Sequence, residues 1–301
     1  MNVENLTVDI VLATHNGEKY ISEQLTSILK QTHKKINIIV TDDGSTDDTI
    51  NIVKDYISRD DRVFLFEKKS NEGVIANFNN GLKQTTSNYI MFSDQDDVWD
   101  LSKVSLMLNE IVKKEKMDGA IGACLVFSDL RVVDEDLKII SESFYDYNKL
   151  DPLNNLELRY LKWRSSVYGC SMIFNRELLI KAGLPSLLSA MHDHWFAFHA
   201  ALYGNIYFLD KPLVNYRQHQ SNVVGSHGRS IFQRAKRVNK TVIGVKKSVK
   251  SAQYLMEISD GVNQNIIEGR VKFICNNVFP FYKERFLYMV MFSFFWMINE
   301  K

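Results

Sequence analysis

The sequence predicts an α/β fold, in which a mostly parallel sheet of the nucleotide-binding type is covered by helices and followed by a small helical C-terminal region. Short β-branched runs alternate with longer helical patterns from the start of the chain, as a helix-covered parallel sheet requires. Polar or acidic residues directly follow three of the predicted strands. With 45% hydrophobic residues in 301, the chain can bury one large core, or a core and a smaller appendage.

The first half of this fold is predicted by a regular β-α-β-α-β-α-β pattern. The predicted strands are residues 8–13, 36–41, 63–66 and 89–92, and the helices between them are 18–30, a helix capped by residues 45–48 that runs to 57, and 73–82. Further along we expect a helix at 103–114, strands at 120–128 and 171–174, a helix at 194–202, a strand at 206–209 and a loop at 216–222.

A change of composition near residue 225 predicts a boundary. From 221 to 256 every charged residue is basic, and the next acid is Glu257. Apolar residues repeat there at alternating four- and three-residue steps, which predicts an amphipathic, basic helix. We therefore predict a larger α/β domain at 1–225 and a helical region at 226–301.

Bulk composition excludes several classes of protein. Lysine and arginine total 37 against 36 acids, so overall charge gives no reason to expect nucleic acid as a partner. Three cysteines without a Cys-x-x-Cys spacing argue against a disulfide framework or a zinc site and fit a reducing cytoplasm. The N-terminus lacks a secretory signal, and the apolar run at 286–298 is shorter than the roughly 18 to 20 residues that span a bilayer.

The most informative segment is acidic: Asp94, Asp96 and Asp97 stand at the end of the predicted strand 89–92. Carboxylates crowded at a strand's end repel one another unless a cation or hydrogen-bond donors compensate. Mg²⁺ or Mn²⁺ would do so, and such an ion also bridges the oxygens of a diphosphate. The alternative is an acidic turn that caps the next helix.

Two other strand ends bring polar residues to the same edge of the sheet, where open α/β sheets bind ligands. Asp43 can accept the N3 hydrogen of a uracil or thymine ring, and Gly44 permits a tight turn, although Asp-Gly-Ser is also a common turn. His15, within the segment 13–17, can pack its ring on a base or stay solvated. Because the three signals occur at successive strand ends, they together predict one nucleotide site.

Four motifs, in this order and spacing, resemble those of the inverting glycosyltransferases of family 2, which have the GT-A fold. They are Ala-Thr-His-Asn-Gly at 13–17, Asp-Asp-Gly-Ser at 42–45, Asn-Glu-Gly at 71–73 with Asn79 and Gly81, and Ser-Asp-Gln-Asp-Asp-Val-Trp at 93–99. The resemblance covers about the first 220 of the 301 residues. It implies a cytoplasmic enzyme of cell-surface polysaccharide synthesis that moves a sugar from a nucleoside diphosphate, dTDP or UDP, to a glycan or lipid-linked acceptor.

This resemblance implies a role for most residues at that edge of the sheet. The nucleotide sugar would be bound by Ala13, Thr14, His15, Asn16, Asp43, Gly73, Asp94 and Gln95. A divalent cation, Mg²⁺ or Mn²⁺, would be held by Asp94, Asp96 and His219; for His219 the alternative is a solvated surface histidine. Phe78 departs from the family pattern, because many members carry arginine just before the asparagine that Asn79 matches.

Asp193 is the predicted catalytic base. Inverting transfer needs a group that removes the proton of the acceptor hydroxyl, and residues 191–195 resemble the family's site for such a carboxylate at the start of a helix. The alternative role for Asp193 is a helix N-cap. Trp195 offers an aromatic face on which an acceptor sugar can stack, with burial in the core as the alternative, and Trp99 is a second candidate for contact with the acceptor.

The string Tyr-Arg-Gln-His at 216–219, followed by Ser221 and Asn222, looks especially like bacterial rhamnosyltransferases of this family, whose donor is dTDP-L-rhamnose. The alternatives are a transferase of the same fold that uses UDP-glucose, UDP-galactose or a UDP-N-acetylhexosamine, and a nucleotide-sugar binding protein without catalysis. A phosphotransferase fits poorly, because its Asp-x-Asp nucleophile follows the first strand of the sheet, whereas Asp94 follows the fourth predicted strand. A dehydrogenase fits less well, because the chain has no Gly-x-Gly pair.

The basic helix and the apolar run at 286–298 predict a role at the inner face of the plasma membrane. Lysines would meet anionic headgroups while the apolar run enters the interface, which would make the enzyme a peripheral membrane protein. Packing of both segments on the larger domain and a helix-mediated homodimer are the alternatives.

Overall fold

The computed structural model describes residues 3–117, 122–219, 231–260 and 266–298. Within them, one mixed sheet of nine strands lies at the centre and helices cover it, which confirms the predicted α/β class. The strands are β1 (Val8–Thr14), β2 (Ile36–Asp42), β3 (Val63–Glu67), β4 (Tyr89–Asp94), β5 (Val98–Trp99), β6 (Ala123–Val133), β7 (Ile139–Ser141), β8 (Met172–Asn175) and β9 (Gly204–Arg217). Their order across the sheet is β3-β2-β1-β4-β8-β6-β9-β5, and β7 pairs with β6.

The helices fall close to their predicted positions in the first half of the chain. They are α1 (Ile21–Leu29), α2 (Thr49–Ile57), α3 (Val74–Leu82), α4 (Lys103–Met117), α5 (Phe144–Asn148), α6 (Leu158–Leu161), α7 (Arg176–Ala182), α8 (His192–Tyr203), α9 (Ile231–Asp260), α10 (Ile266–Phe273) and α11 (Phe286–Ile298). Short helices α5 to α7 were not predicted, because segments this short carry little periodicity.

Strands β1 to β4 form the parallel half of the sheet and bring three motifs to one edge. β1 lies between β2 and β4 and runs parallel to both. Val8, Ile10, Val11 and Leu12 of β1 are completely buried, because helices cover both faces of a parallel sheet. In the registers, Thr14 is opposite Asp42 and Ala13 is opposite Asp94, so the polar residues that end these strands are neighbours in space.

The second half of the sheet is mixed, and here one prediction was wrong. β8 is antiparallel to β4 and to β6, whereas β9 runs parallel to β6 with register shifts near Asp129. We predicted a strand at 206–209 and a loop from 216, but β9 continues to Arg217 because β6 supplies a partner as far as Val133 and β5 pairs on the other side. The remaining residues of that predicted loop, 220–222, lie outside the described part of the chain.

The C-terminal helices pack on the larger domain through aromatic rings and one buried acid. The ring centroids of Trp163 and Phe292 are 5.4 Å apart. Glu284 is buried, accepts hydrogen bonds from Tyr160 Oη at 2.6 Å and from the Asp151 amide at 2.9 Å, and lies 3.4 Å from Arg164 Nη1. The boundary predicted at residue 225 falls in 220–230, outside the described residues, and stays a prediction.

One face of α11 is apolar and exposed. Leu287 is 77% exposed and Phe294 is 58% exposed, with Phe286, Val290 and Ile298 on the same helix also exposed. Among the helices that the structure describes, none combines the length and the apolar character needed to cross a lipid bilayer.

Candidate active site

A cleft of about 970 Å³ opens at the carboxyl ends of β1, β2 and β4, and the start of α8 and the C-terminal region form its other wall. All residues predicted to bind the nucleotide sugar or the metal line this cleft, as does Asp193; they are Ala13, Thr14, His15, Asn16, Asp43, Gly73, Asp94, Gln95, Asp96 and His219. The structure thus brings together acids from three distant parts of the sequence. Trp99 and Trp195 are not on the cleft wall.

Asp43 is buried at the end of β2 and holds the loop that leads into α3. Its carboxylate accepts hydrogen bonds from the backbone amides of Glu72, at 3.0 and 3.1 Å, and Gly73, at 2.8 Å. Gly73 has φ of 92°, a left-handed conformation that glycine adopts without strain. The Asp43 side chain therefore fixes the shape of the cleft at the position predicted for the base ring.

The loop after β1 is held by side chains from neighbouring strand ends. Gln95 Oε1 accepts from the His15 amide at 2.9 Å, and Gln95 Nε2 donates to the His15 carbonyl at 3.1 Å. Asn16 Oδ1 accepts from the Thr46 amide at 2.8 Å. The His15 ring has Asn71 Nδ2 at 3.0 Å from its Nε2. Gln95 thus acts in this structure by locking the backbone of the loop that presents His15 to the cleft.

Asp96 and His219 form the pair that fits a divalent cation best. Asp96 Oδ2 lies 2.8 Å from His219 Nε2, and both residues line the cleft. The Tyr20 ring packs on the His219 ring with centroids 5.0 Å apart, which orients the imidazole. Carboxylate oxygen and imidazole nitrogen are both ligands that Mn²⁺ accepts, while Mg²⁺ favours the oxygens.

A second acidic group lies deeper and already contains a cation, the ammonium of Lys103. Ligand atoms of Asp94, Asp97 and Cys170 all lie within 4.8 Å of one another, as a metal site would require. Lys103, however, is completely buried there and donates to the Cys170 carbonyl at 2.6 Å. Burial also raises the pKa of the Cys170 thiol well above its usual value, so it stays protonated and is a poor ligand for Mg²⁺ or Mn²⁺.

The crowding of acids shifts several pKa values. Burial, together with the negative charges of Asp96 and Asp193, raises the pKa of Asp94 to about 7. The pKa of Asp97 is raised well above its usual value by burial and by the charges of Asp96 and Asp94. Burial lowers the pKa of Lys103 to about 7, although the charges of Asp97 and Asp94 oppose that shift. A cation on the open side of the cleft would stabilise the ionised carboxylates and so lower these pKa values.

Arg217 supports the site, and no role of its own was predicted for it, although it belongs to the string 216–219. Its amide donates to Asp97 Oδ1 at 3.2 Å, and its guanidinium donates to the Asp96 carbonyl at 2.9 Å and to Glu23. The side chain is buried and ties the acidic loop to α1. Lys103 was also missed, although its place on the buried face of α4 beside Val104 and Met107 is a signal that the sequence contains.

Asp193 lies in the first turn of α8 and is not the N-cap, which is Met191. Its Oδ1 accepts from the His194 amide at 2.6 Å and its Oδ2 from the Gly169 amide at 3.3 Å. Burial raises the pKa of Asp193 to about 6. A carboxylate with this pKa is still ionised at neutral pH and is a stronger base than an exposed aspartate.

The two tryptophans predicted to contact an acceptor sugar are instead packed in the protein. Trp195 is 4% exposed and packs on the His199 ring, 4.1 Å away, because it faces away from Asp193 on α8. Trp99 is 2% exposed, and the Lys103 ammonium lies 3.1 Å from the centroid of its ring. Neither ring lines the cleft, so the prediction that they contact an acceptor sugar was wrong; for Trp195 the alternative, burial in the core, is correct.

Comparisons of the sequence show related proteins over most of the chain. A family model described as glycosyl transferase family 2 matches residues 9–183. The chain is 30% identical to dTDP-rhamnosyl transferase RfbG of Shigella flexneri over 229 aligned residues. The alignment covers 72% of this chain and 74% of that protein. It is also 28% identical to the uncharacterized glycosyltransferase RP339 of Rickettsia prowazekii (strain Madrid E) over 232 aligned residues, which are 75% of this chain and 68% of that protein.

Solved structures share the fold at low sequence identity. TarS 1–349 of S. aureus in complex with UDP-GlcNAc superposes with a TM-score of 0.57 at 18% identity, covering 96% of this chain and 90% of that chain. Mannosyltransferase PcManGT from Pyrobaculum calidifontis, in complex with GDP-Man and Mn²⁺, superposes with a TM-score of 0.58 at 15% identity. The superposition covers 98% of this chain and 88% of that chain. At these identities the likeness shows the fold alone.

Proposed function

Because the chain belongs to glycosyl transferase family 2, we propose that it transfers a sugar from a nucleoside diphosphate to an acceptor hydroxyl in one displacement that inverts the anomeric carbon. The observation that carries this proposal is the shared cleft: Asp43, Asp96 and Asp193 line it together, although 150 residues separate the first from the last. A nucleotide-binding group, a metal-binding group and a base are the three parts that such a reaction needs.

The base and ribose of the donor would occupy the β1 and β2 side of the cleft. Asp43 and the loop 13–16 line it there, and the hydrogen bonds of Asp43 to the Glu72 and Gly73 amides fix the pocket before a ligand arrives. Carboxylate recognition of the N3 hydrogen favours a pyrimidine, uracil or thymine.

A divalent cation, Mg²⁺ or Mn²⁺, would be held by Asp96 and His219 with Asp94 beside them. When bound, it would stabilise the negative charge that develops on the departing diphosphate. The 2.8 Å contact of Asp96 with His219 supports this assignment, and PcManGT, which has the same fold, was solved with Mn²⁺.

Asp193 would take the proton of the acceptor hydroxyl as that oxygen attacks. Its Oδ2 has only a 3.3 Å contact with the Gly169 amide and is the better placed oxygen to accept the proton. The raised pKa of Asp193, about 6, supports this role at neutral pH.

For the donor sugar we propose L-rhamnose from dTDP-L-rhamnose. The support is the similarity to dTDP-rhamnosyl transferase RfbG over 72% of the chain, together with the string at 216–219. The second candidate is a UDP-sugar, which would be UDP-glucose, UDP-galactose or a UDP-N-acetylhexosamine. The shared fold with TarS, which was solved with UDP-GlcNAc, favours this candidate.

The acceptor would be a glycan or lipid-linked oligosaccharide of cell-surface polysaccharide synthesis, reached at the inner face of the plasma membrane. Tyr288 of α11 and the adjacent Arg285 line the cleft, while Leu287 and Phe294 of the same helix are exposed to solvent. Lys246, Lys247 and Lys250 are exposed on α9, which packs against α11. Apolar side chains flanked by lysines suit an anionic bilayer surface, and a homodimer through α9 is the alternative.

Hydrolysis of nucleotide sugars tests the proposal without knowledge of the acceptor. The protein would be incubated with dTDP-L-rhamnose, UDP-glucose, UDP-galactose and UDP-N-acetylglucosamine, each with Mg²⁺, Mn²⁺ or a chelator, and the released nucleoside diphosphate measured. We expect slow, metal-dependent release from one donor above the rest. Tight binding of a nucleotide sugar with no release from any donor, and no transfer to cell-envelope extracts, would instead favour a binding protein without catalysis.

A further inference from the structure

His192, the first residue of α8, is buried in the cleft wall without a hydrogen bond. It is 3% exposed and lines the cleft next to Asp193. Neither Nδ1 nor Nε2 has a hydrogen-bond partner within the described residues. A buried polar group without a partner costs roughly 1 to 3 kcal/mol, so such groups normally have a partner in the functional state.

The other two histidines of α8 show that this is not a property of the helix. His194 Nε2 lies 2.6 Å from the Leu161 carbonyl, and His199 Nδ1 lies 2.8 Å from the Trp195 carbonyl. All three histidines are buried, but in the described structure only His192 has both ring nitrogens unbonded.

The His192 ring is held in one orientation by aromatic neighbours. It stacks on Phe78 with centroids 3.9 Å apart and meets the edge of Phe92 at 5.0 Å. On another side it approaches Gly169, where a Cβ atom would lie 2.5 Å from His192 Nε2. A side chain at 169 would therefore collide with the imidazole, and glycine allows the ring to take this position.

The chemistry of this ring suits a sugar hydroxyl. Burial lowers the pKa of His192 to about 3, so the imidazole is neutral and offers one donor and one acceptor. A hydroxyl likewise donates one hydrogen bond and accepts others. In the proposed reaction the transferred sugar lies between the departing diphosphate, at Asp94 and Asp96, and the base Asp193, and His192 is adjacent to that base.

We propose that His192 is a specificity-determining residue for the donor, whose imidazole hydrogen-bonds a hydroxyl of the transferred sugar while the Phe78 ring supports it from below. This inference rests on the proposed function, because it assumes that a nucleotide sugar occupies the cleft. Phe78, which stands where related enzymes often carry arginine, then serves as the platform that aims the imidazole.

The test compares His192→Phe with His199→Phe. The first substitution keeps a stacking ring and removes both nitrogens; the second makes the same change in the same helix at a residue outside the cleft. Calorimetric titration would measure the affinity for the preferred nucleotide sugar and for its nucleoside diphosphate alone, with Mn²⁺. In the wild type the ratio of the two affinities reports the contribution of the sugar.

We expect His192→Phe to weaken binding of the nucleotide sugar by about 10- to 100-fold, with the affinity for the nucleoside diphosphate within about twofold of wild type. His192→Asn, which keeps one donor and one acceptor, should recover part of the loss, and His199→Phe should bind like wild type. The proposal is overturned if His192→Phe keeps the wild-type ratio, or if both Phe variants lose nucleotide-sugar affinity equally. This measurement does not depend on turnover. A protein that binds nucleotide sugars but never hydrolyses them would refute the proposed function, whereas the ratio of the two affinities would still decide the role of His192.

Discussion

The donor side and the acceptor side of the cleft are built in different ways. On the donor side, at the ends of β1, β2 and β4, functional side chains are already bonded to the protein. Asp43 accepts from two backbone amides, Gln95 makes two bonds to the His15 backbone, and Asp96 contacts His219. This wall needs little rearrangement to receive a nucleotide.

The acceptor side comes from α8, the segment 164–169 and the C-terminal helices, and its polar groups are less satisfied. His192 has two unbonded ring nitrogens, and Arg285 makes a long contact of 3.5 Å with Asn148 Oδ1. Arg285 also has φ of 54°, a left-handed conformation that is uncommon for a residue with a side chain and is found at functional sites more often than elsewhere. Under the proposed function, nucleotide recognition would therefore be preformed in the sheet, whereas recognition of the sugar and the acceptor would depend on the less extensively bonded groups of the opposite wall.

The largest effect should come from the donor side, on replacement of Asp96 by alanine. Without this carboxylate the pair with His219 is lost, and metal-dependent binding of the nucleotide sugar should be abolished. Calorimetric titration with the nucleotide sugar, with and without Mn²⁺, measures this binding. The control is Asp55→Ala, because Asp55 is an exposed acid of α2 that pairs with Arg59. A dissociation constant that does not change in Asp96→Ala would remove the metal assignment.

Lys103→Met tests whether a buried cation supports the donor side. The Cys170 carbonyl would lose its hydrogen-bond donor, and Asp94 and Asp97 a nearby positive charge; an unpaired buried acceptor alone costs roughly 1 to 3 kcal/mol. Urea unfolding would measure the loss, with Lys113→Met on the exposed face of the same helix as the control. Equal stability of the two variants would mean that Lys103 is not needed to hold the acids together.

Asp193→Asn is the corresponding change on the acceptor side. We expect transfer to fall by roughly 10²-fold or more, with metal-dependent nucleotide binding retained, because a general base is lost while the donor wall stays intact. The folded-state pKa of Asp193 is raised, so ionising it costs stability as pH rises through about 6. The variant should therefore be at least as stable as wild type at pH 7, and unchanged turnover would refute the role.

The two sides should also differ in their dependence on pH. Transfer should decline as pH falls through about 6, because Asp193 takes up a proton and no longer acts as a base. Binding of the nucleoside alone, which relies on the bonded residues around Asp43 and carries no phosphate that titrates, should change little over the same range. Parallel loss of both activities would show that the acids of the cleft titrate as one unit.

The smallest effect is expected at the outer face of α11. Leu287→Ser, at a residue that is 77% exposed, should lower partition onto anionic vesicles by about 5-fold, since one apolar side chain fewer enters the interface. Ile180→Ser, at an exposed residue of α7, is the matched control. Vesicle flotation at low and high salt measures the partition of each protein. If the wild type binds neither neutral nor anionic vesicles, the membrane proposal is excluded.

Sequence reasoning located the donor side well, because its residues follow strands whose ends must meet. The alternation of β-branched runs predicted β1, β2 and β4 to within two residues, and parallel pairing then brings Asp43 and Asp94 to one edge. Asp193 could be proposed only through resemblance to a family, because α8 joins the cleft by tertiary packing that no local pattern encodes.

The errors have a physical cause as well. Trp195 was predicted to contact a sugar because it offers an aromatic face. It lies two residues after Asp193, however, and two residues on an α-helix are separated by roughly 200° around the axis, so the two side chains point in opposite directions. Arg217 was not singled out because its partners, Glu23 and the Asp96 carbonyl, are remote in sequence. Contacts of that kind can be seen only once the chain is folded.

The buried acid Glu284 has a consequence for anyone who shortens the chain. A protein cut near residue 225 would leave the Tyr160 hydroxyl and the Asp151 amide without their acceptor, and Arg164 without its counter-ion. Removal of the C-terminal helices would thus unbalance a polar cluster beneath the cleft wall and uncover Trp163. Binding studies of the cleft therefore require the C-terminal helices as well as the α/β domain.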